Sequence, residues 1–168
     1  IYNSFLDGPK LAVESCSAAN ALGLSIDQPG MHTPQLALSE LPQQLCPTQD
    51  GGVLSRTGVV DAIEPEAGPV SVFAVTTTTN PQRTAYYPGR SGVHTARNGT
   101  YQAFTRPYHM APETTVSIAK TALRNEPTGT PRSQEAEVIG KAKRPLDPGE
   151  PPDGGGGSVS DSEASGTS

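Results

Sequence analysis

The chain has 168 residues, of which 33% are hydrophobic, and its 17 acidic and 12 basic side chains give a net charge of -5. It contains 18 Gly, 17 Pro, eight aromatic residues and no Trp. Such a composition predicts a small core that gains burial by association with something larger. It excludes free nucleic-acid binding driven by overall charge. No run of 18 apolar residues occurs, so we expect no membrane-spanning helix and no membrane partner.

The sequence begins with Ile1 in IYNSFLDGP, which we interpret as part of a longer protein. The first predicted element is a helix over residues 10–22, with Asp7 or Gly8 near its N-cap and Gly23 at its end. A second helix is predicted to begin at Thr33 as N-cap and to end at Pro42, because proline cannot donate the helix hydrogen bond.

A β-rich stretch follows from residue 53. The run VSVFAVTTTT at residues 70–79 is β-branched or aromatic almost throughout and predicts a strand. Turn dipeptides then recur at short spacing: Asn80-Pro81, Pro88-Gly89, Ser91-Gly92 and Asn98-Gly99. The last of these predicts a type I′ hairpin. A final helix is predicted over residues 111–125.

Beyond Glu126 the large aliphatic residues are sparse, and the acidic end includes the run Gly154 to Gly157. Such a segment buries too little to offset its ordering entropy. We therefore predict an α+β protein with a small β-meander core flanked by short helices and a disordered C-terminal tail. Its three parts are an acidic helical and loop front (1–52), a β-rich body with a terminal helix (53–125), and a Pro/Gly/Ser-rich tail (126–168).

Few residues favour catalysis or metal binding. Cys16 and Cys46 lack CxxC spacing and predict two free thiols rather than a disulfide. A metal site is not expected, because His32, His94 and His109 have no local partner at metal spacing. A hydrolase using Ser91 with His94 or His109 is the enzymatic alternative, but no catalytic or cofactor motif supports it. We therefore predict a protein that is not an enzyme and has no cofactor.

One feature favours a binding role. The stretch 71–110 has four arginines and no Asp or Glu, and its arginines are interleaved with aromatic residues. Phosphate-pairing and base-stacking groups are mixed in this way on nucleic-acid surfaces. The predicted RNA contacts are Arg83, Arg90, Arg97, Arg106, Tyr86 and Tyr101. Alternatively, the arginines only solvate the rim of the sheet or pair with acids such as Asp61, Glu64 and Glu66.

The body around VFAVTTTTNPQRTAYYPGRSG and FTRPYHMAPE, followed by the tail from Pro127, resembles the C-terminal part of coat proteins of totivirus-like double-stranded RNA viruses of fungi. The resemblance implies a capsid protein fragment that self-associates around RNA, located in the virion or the host cytoplasm. The alternative is an extracellular β-rich domain of adhesin or receptor type. It is favoured by the Thr-rich strand and by the glycosylation pattern at Asn98.

Overall fold

The computed structural model describes residues 8–66, 71–107, 110–142, 144–150 and 161–166. The chain divides into two compact units. Unit 1 comprises Ile1–Pro34, Gly58–Glu64 and Pro131–Ser168, and unit 2 comprises Gln35–Thr57 and Pro65–Thr130.

Helices and small sheets occur in both units, so the predicted α+β class is confirmed. In chain order the elements are α1 (Gly8–Leu22), β1 (Ser25–Ile26), β2 (Gln35–Leu36), α2 (Leu41–Gln44), β3 (Val59–Val60), β4 (Glu64–Pro65), β5 (Ser71–Thr77), α3 (Pro81–Tyr86), β6 (Val93–Thr95), β7 (Tyr101–Pro107), α4 (Met110–Arg124), β8 (Ala136–Lys141) and β9 (Asp161–Gly166).

The core of unit 1 is built on the small-residue face of α1. Ala12 and Ala19 are almost completely buried, and they pack with a few larger side chains, among them Ile26 and Met31. Small side chains let neighbouring backbone approach the helix closely but bury little area. The predicted first helix is confirmed, and Gly23 follows its end at a φ of +68°. The proposed cap at Asp7 lies outside the described residues.

Asn20, near the C-terminal end of α1, fixes the chain that leads into β8. Its side-chain oxygen accepts hydrogen bonds from the backbone N–H groups of Glu135 (2.8 Å) and Ala136 (3.0 Å). Its side-chain nitrogen donates to the Ala136 carbonyl at 3.0 Å. The Asn20 carbonyl also accepts from the N–H of Arg132 at 2.8 Å. One amide side chain therefore satisfies three backbone groups of a segment more than a hundred residues away.

Part of the predicted disordered tail forms regular structure in unit 1. β8 pairs antiparallel with β9, with Ala136 opposite Gly166 and Lys141 opposite Asp161. Ala136 is 5% exposed and belongs to the core around α1. The glycine run 154–157 lies outside the described residues. Disorder of the tail as a whole stays a prediction, and any test of it must account for this strand pair.

Unit 2 contains a three-stranded antiparallel sheet in the order β5-β7-β6. The order is not that of a simple meander, because the last strand lies in the middle and pairs on both sides. The turn predicted at Asn80-Pro81 is instead a helix start. The Asn80 side chain accepts from the N–H groups of Gln82 and Arg83, and Pro81 lies in the first turn of α3.

The predicted hairpin at Asn98-Gly99 connects β6 and β7, but its turn is not type I′. Type I′ requires positive φ at both central residues. Gly99 has a φ of +73°, whereas Asn98 is not among the described residues with positive φ. The Asn98 side chain instead accepts a hydrogen bond from the N–H of Thr100 at 3.0 Å. The backbone turn that does form spans residues 96–99, with the Gly99 N–H donating to the Ala96 carbonyl at 2.8 Å, and the Asn98 side chain supports it.

The predicted helix capped by Thr33 is wrong. Thr33 has a φ of 42°, outside the extended geometry of an N-cap, and β2 follows it. The helical turns begin later, at Leu38–Glu40 and α2. Pro42 lies in the first turn of α2 rather than ending a helix, because its missing N–H has no helix partner to lose at that position.

The core of unit 2 surrounds Cys46 and Tyr101, which are 2% and 7% exposed. The Tyr101 hydroxyl donates to an oxygen of Asp50 at 2.7 Å. This bond, together with burial and the Asp50 charge, raises the pKa of Tyr101 to about 12. Burial is also the main cause that raises the pKa of the Cys46 thiol. Both cysteines are free, as predicted.

The predicted helix at residues 111–125 is confirmed as α4, and Asn125 follows it in the left-handed region at a φ of 52°. Several of its apolar side chains are exposed, including Val116 (67%), Ile118 (61%) and Leu123 (84%). None of the helices in the described part of the chain is both long and apolar enough to cross a membrane.

Replacing Asn20 by Ala should destabilise unit 1. The change removes the side-chain partner of the Glu135 and Ala136 N–H groups and one of two donors to the Ala136 carbonyl, which also accepts from the Cys16 thiol; the total cost is about 3 kcal/mol. Ser17→Ala is the control on the same helix. Ser17 is exposed and bonds only within the helix, so its loss should cost less than about 0.5 kcal/mol. Denaturant unfolding measures both, and equal values for the two variants would contradict the role of Asn20.

Gly52→Ala should destabilise unit 2 by about 2 kcal/mol. A methyl group at Gly52 would collide with the Cys46 carbonyl and lie 2.7 Å from the Cys46 sulfur. The backbone φ of Gly52 is not in the left-handed region, so the expected loss is purely steric. Gly129→Ala is the matched control, because nothing lies within 4 Å of its new methyl group. Chemical denaturation that ranks Gly129→Ala as the more damaging change would disprove this account.

The Tyr101 to Asp50 bond predicts a loss of stability at high pH. The pKa of Tyr101 is raised from 10.0 to about 12, so its contribution is complete below pH 10 and is lost as the pH rises toward 12. Between pH 8 and 11 wild type should lose about 1 kcal/mol more unfolding free energy than Tyr101→Phe, which cannot titrate. Urea titrations of both proteins at the two pH values test this difference. A variant with the same pH dependence as wild type would refute it.

Candidate active site

A histidine lies between two buried carboxylates in unit 1. The Nδ1 atom of His32 is 2.6 Å from an oxygen of Asp61, and its Nε2 atom is 3.6 Å from an oxygen of Asp27. Both carboxylate side chains are 3% exposed, whereas the His32 side chain is 18% exposed. The imidazole is therefore held from within the fold, with a small part of the side chain exposed.

Asp61 binds the backbone around His32 as well as its ring. Its carboxylate accepts hydrogen bonds from the N–H groups of His32 (3.1 Å), Thr33 (3.3 Å) and Ala62 (2.8 Å). An ionised carboxylate only accepts hydrogen bonds, so Nδ1 of His32 is the donor in the 2.6 Å contact. This places a hydrogen on Nδ1, while Nε2 faces the Asp27 carboxylate at 3.6 Å.

The backbone on both sides of His32 is strained. Met31 and Thr33 have φ angles of 63° and 42°, in a region that residues other than glycine seldom occupy and that is least favourable for a β-branched residue. Each such residue costs about 1–3 kcal/mol and persists only where the surroundings hold it in place. Here Asp61 fixes the backbone by accepting the N–H groups of His32 and Thr33, and the Gln28 side chain donates to the Met31 carbonyl at 3.1 Å.

This geometry suits proton transfer. The His32 ring is fixed in direction by the contact of Nδ1 with Asp61, and a second carboxylate, that of Asp27, faces Nε2; imidazole is the side chain best suited to proton transfer near neutral pH. Strained backbone of this kind clusters at functional sites. Among all the clusters seen in the described ranges, this one combines a titratable group, buried carboxylates and strained backbone. We therefore take the Asp27, His32 and Asp61 cluster as the candidate active site.

The residues predicted to contact RNA occupy several places in unit 2. Arg83, Arg90 and Arg97 are exposed, and Arg90 lies over the Tyr86 ring at 3.9 Å. Arg106 forms a 2.6 Å ion pair with Glu113. Tyr101 is buried and bound to Asp50, so its ring offers no surface for base stacking. RNA contact by the exposed arginines stays a prediction.

Two pairings considered from sequence do not form. Asp61 was a candidate partner for the arginines, but its oxygens bind His32 and neighbouring backbone instead. For the hydrolase alternative, the structure shows no hydrogen bond between Ser91, which is exposed in a turn, and His94, which is on β6. His109 and Tyr108 lie outside the described residues. Within the residues that are described, no group of three or more His, Cys, Asp or Glu side chains could hold a metal ion.

Sequence reasoning missed His32 because its partners are dispersed. Asp61 is 29 residues away, and no local motif joins it to Asp27 and His32. A lone histidine in a loop is usually a packing or surface residue. The strained φ angles that mark the site are visible only in the folded backbone, and Thr33 gives no hint of them because it is not a residue that favours positive φ.

A comparison with protein families gives a match over residues 1–112 to the family described as oxidoreductase DRL, catalytic domain. The matched segment includes all three residues of the candidate active site. No match was found among the curated proteins.

The family match corrects several predictions made from sequence. The resemblance to a totivirus-like coat protein is wrong, and with it the capsid function and the prediction that the protein is not an enzyme, because the matched family is a catalytic domain of oxidoreductases. The adhesin or receptor alternative has no support. Since the match covers 112 of 168 residues, the chain belongs to the oxidoreductase DRL catalytic domain family.

Proposed function

We propose that the chain is the catalytic part of an oxidoreductase. The observation that carries this proposal is the family match over residues 1–112. The Asp27, His32 and Asp61 cluster supports it independently, because buried carboxylates around a partly exposed histidine are a common arrangement for moving protons at an active site.

The other buried polar cluster fits a structural role better. Tyr101 is buried with its hydroxyl bound to Asp50, and its pKa is raised to about 12, so it holds its proton throughout the physiological range. Cys46 is 2% exposed and donates to the Gln43 carbonyl at 3.4 Å. Burial raises its thiol pKa, which disfavours the thiolate needed for redox chemistry. The catalytic proposal therefore centres on unit 1.

The direct test is turnover by the whole protein. Purified protein is mixed with oxidised or reduced nicotinamide or flavin nucleotide and a panel of small alcohols, hydroxy acids, aldehydes and ketones. The absorbance of the nucleotide is followed. We expect substrate-dependent oxidation or reduction of one nucleotide class, proportional to the amount of protein.

Two controls make this test specific. Heat-denatured protein must give no rate, and product formation must match nucleotide consumption one to one. A folded whole protein that turns over no member of the panel with either nucleotide class would count against the oxidoreductase proposal.

A further inference from the structure

We propose that the exposed apolar face of α4 is a docking surface for α4 of a second copy of this chain, with the two helices packed antiparallel. This inference goes beyond the oxidoreductase function and does not depend on it. The family match ends at residue 112, near the start of α4, and gives this helix no role.

The apolar side chains of α4 lie on one side of the helix. With about 3.6 residues per turn, those of the central and C-terminal part fall within about 160° of the helix circumference. All of them are exposed: Val116, Ile118, Ala119, Ala122 and Leu123. The exposed fractions of the three largest are 67% for Val116, 61% for Ile118 and 84% for Leu123. Together they form a continuous apolar face about two turns long.

The orientation of this face is the reverse of that in an ordinary surface helix. Such a helix buries its apolar side and exposes its polar side. Of residues 112–124, only Glu113 and Ser117 are half-buried, and the other residues are exposed. Glu113 and Ser117 both lie on the polar side of α4. The part of the chain that the structure describes therefore contacts the polar side and leaves the apolar face exposed.

α4 has little stability of its own. Isolated helices shorter than about 12–15 residues are marginal in water, and α4 has 15 residues. It also contains several β-branched residues, which have a low helix propensity: Thr114, Thr115, Val116, Ile118 and Thr121. Most helices in proteins are stabilised by packing of their apolar face. We therefore expect a partner to cover this face.

Charges at the edge of the face favour a second copy as that partner. Glu113 and Lys120 are seven residues apart and therefore lie on the same edge, beside Val116. In an antiparallel pair, Glu113 of one helix lies opposite Lys120 of the second copy, and the two-fold axis repeats the contact. A parallel pair would place these charges on opposite sides of the interface and would align the two helix dipoles. Charge complementarity therefore favours the antiparallel arrangement.

The present partners of these two charges do not prevent the contact. An oxygen of Glu113 pairs with Arg106 at 2.6 Å, and the Arg106 side chain is 76% exposed. Lys120 lies 3.8 Å from an oxygen of Glu126, and both side chains are largely exposed. Exposed ion pairs of this kind are weak, so the side chains can be shared or can turn to a new partner at little cost.

The spacing of the apolar residues suits the same arrangement. Val116, Ala119 and Leu123 follow one another at intervals of three and four residues, the spacing of the a and d positions of paired helices. In the register that joins Glu113 to Lys120, Val116 of one helix lies opposite Ala119 of the second copy. A larger side chain therefore meets a small one, and the two backbones can approach closely.

The size of the face predicts a weak dimer. Specific interfaces typically bury about 1,200–2,000 Å² in total, and a pair of four-turn helices covers less, so we expect a Kd of about 10–100 µM. This concentration range is accessible to direct measurement.

The first test follows the mass of the whole protein by sedimentation velocity between about 5 and 500 µM, a range that spans the expected Kd. Wild type should shift from monomer to dimer. Leu123→Glu should weaken association by about tenfold or more, because it places a charge in the apolar interface. Leu22→Glu is the matched control, since Leu22 is an exposed leucine (59%) at the end of α1, and its Kd should equal that of wild type.

A charge exchange tests the antiparallel direction. Glu113→Lys and Lys120→Glu should each weaken the dimer by about tenfold, because each places like charges opposite one another in both symmetric contacts. The double variant again pairs opposite charges and should return Kd to within about threefold of wild type. Association through unspecific apolar contact would not show this recovery.

Dimerisation of wild type, its loss in Leu123→Glu and its recovery in the double charge variant support the proposal. A wild type that stays monomeric at the highest concentration overturns it and leaves the face to another segment or a different protein. A dimer that Leu123→Glu does not weaken, or that the double variant does not recover, overturns it as well. Should Leu123→Glu not fold, Val116→Glu gives the same comparison at a side chain that is 67% exposed. None of these outcomes depends on turnover, so each leaves the oxidoreductase proposal as it stands.

Discussion

The carboxylate of Asp61 organises the functional end of unit 1. Two oxygens collect hydrogen bonds from the backbone of His32, Thr33 and Ala62 and from the His32 ring. A buried carboxylate is stable only when such donors replace its lost water. Because buried Asp61 needs these donors, it holds the loop in its strained shape. The same hydrogen bonds fix the direction of the His32 ring.

Asn20 acts by the same principle elsewhere in unit 1. The core around α1 consists largely of alanines and contributes little hydrophobic stabilisation, so polar side chains that complete buried backbone take a larger share. In unit 2, Asp50 plays a comparable part for Tyr101. A chain with few large apolar residues thus gains its order from side chains that satisfy distant hydrogen-bonding groups.

Local patterns predicted the fold better than the site. The helices α1 and α4, the strand run before Asn80 and the α+β class followed from periodicity and turn residues. The position of Pro42 in the first turn of α2 and the order of the strands in the sheet did not follow from local patterns. Each depends on contacts between residues that are distant in the sequence. The site was invisible for the same reason: Asp27, His32 and Asp61 meet only after β1 and β3 pair in parallel.

The conformation of Thr33 links stability to activity. Glycine adopts a φ of 42° without steric cost, so a glycine at this position would relieve strain and also free the backbone next to His32. A glycine at residue 33 would make the protein more stable, but it would let the backbone beside His32 move, so stability and a fixed His32 ring favour different residues here. Thr33 therefore keeps a strained backbone whose position is fixed beside His32. In related sequences, residue 33 and residue 61 should vary together rather than separately.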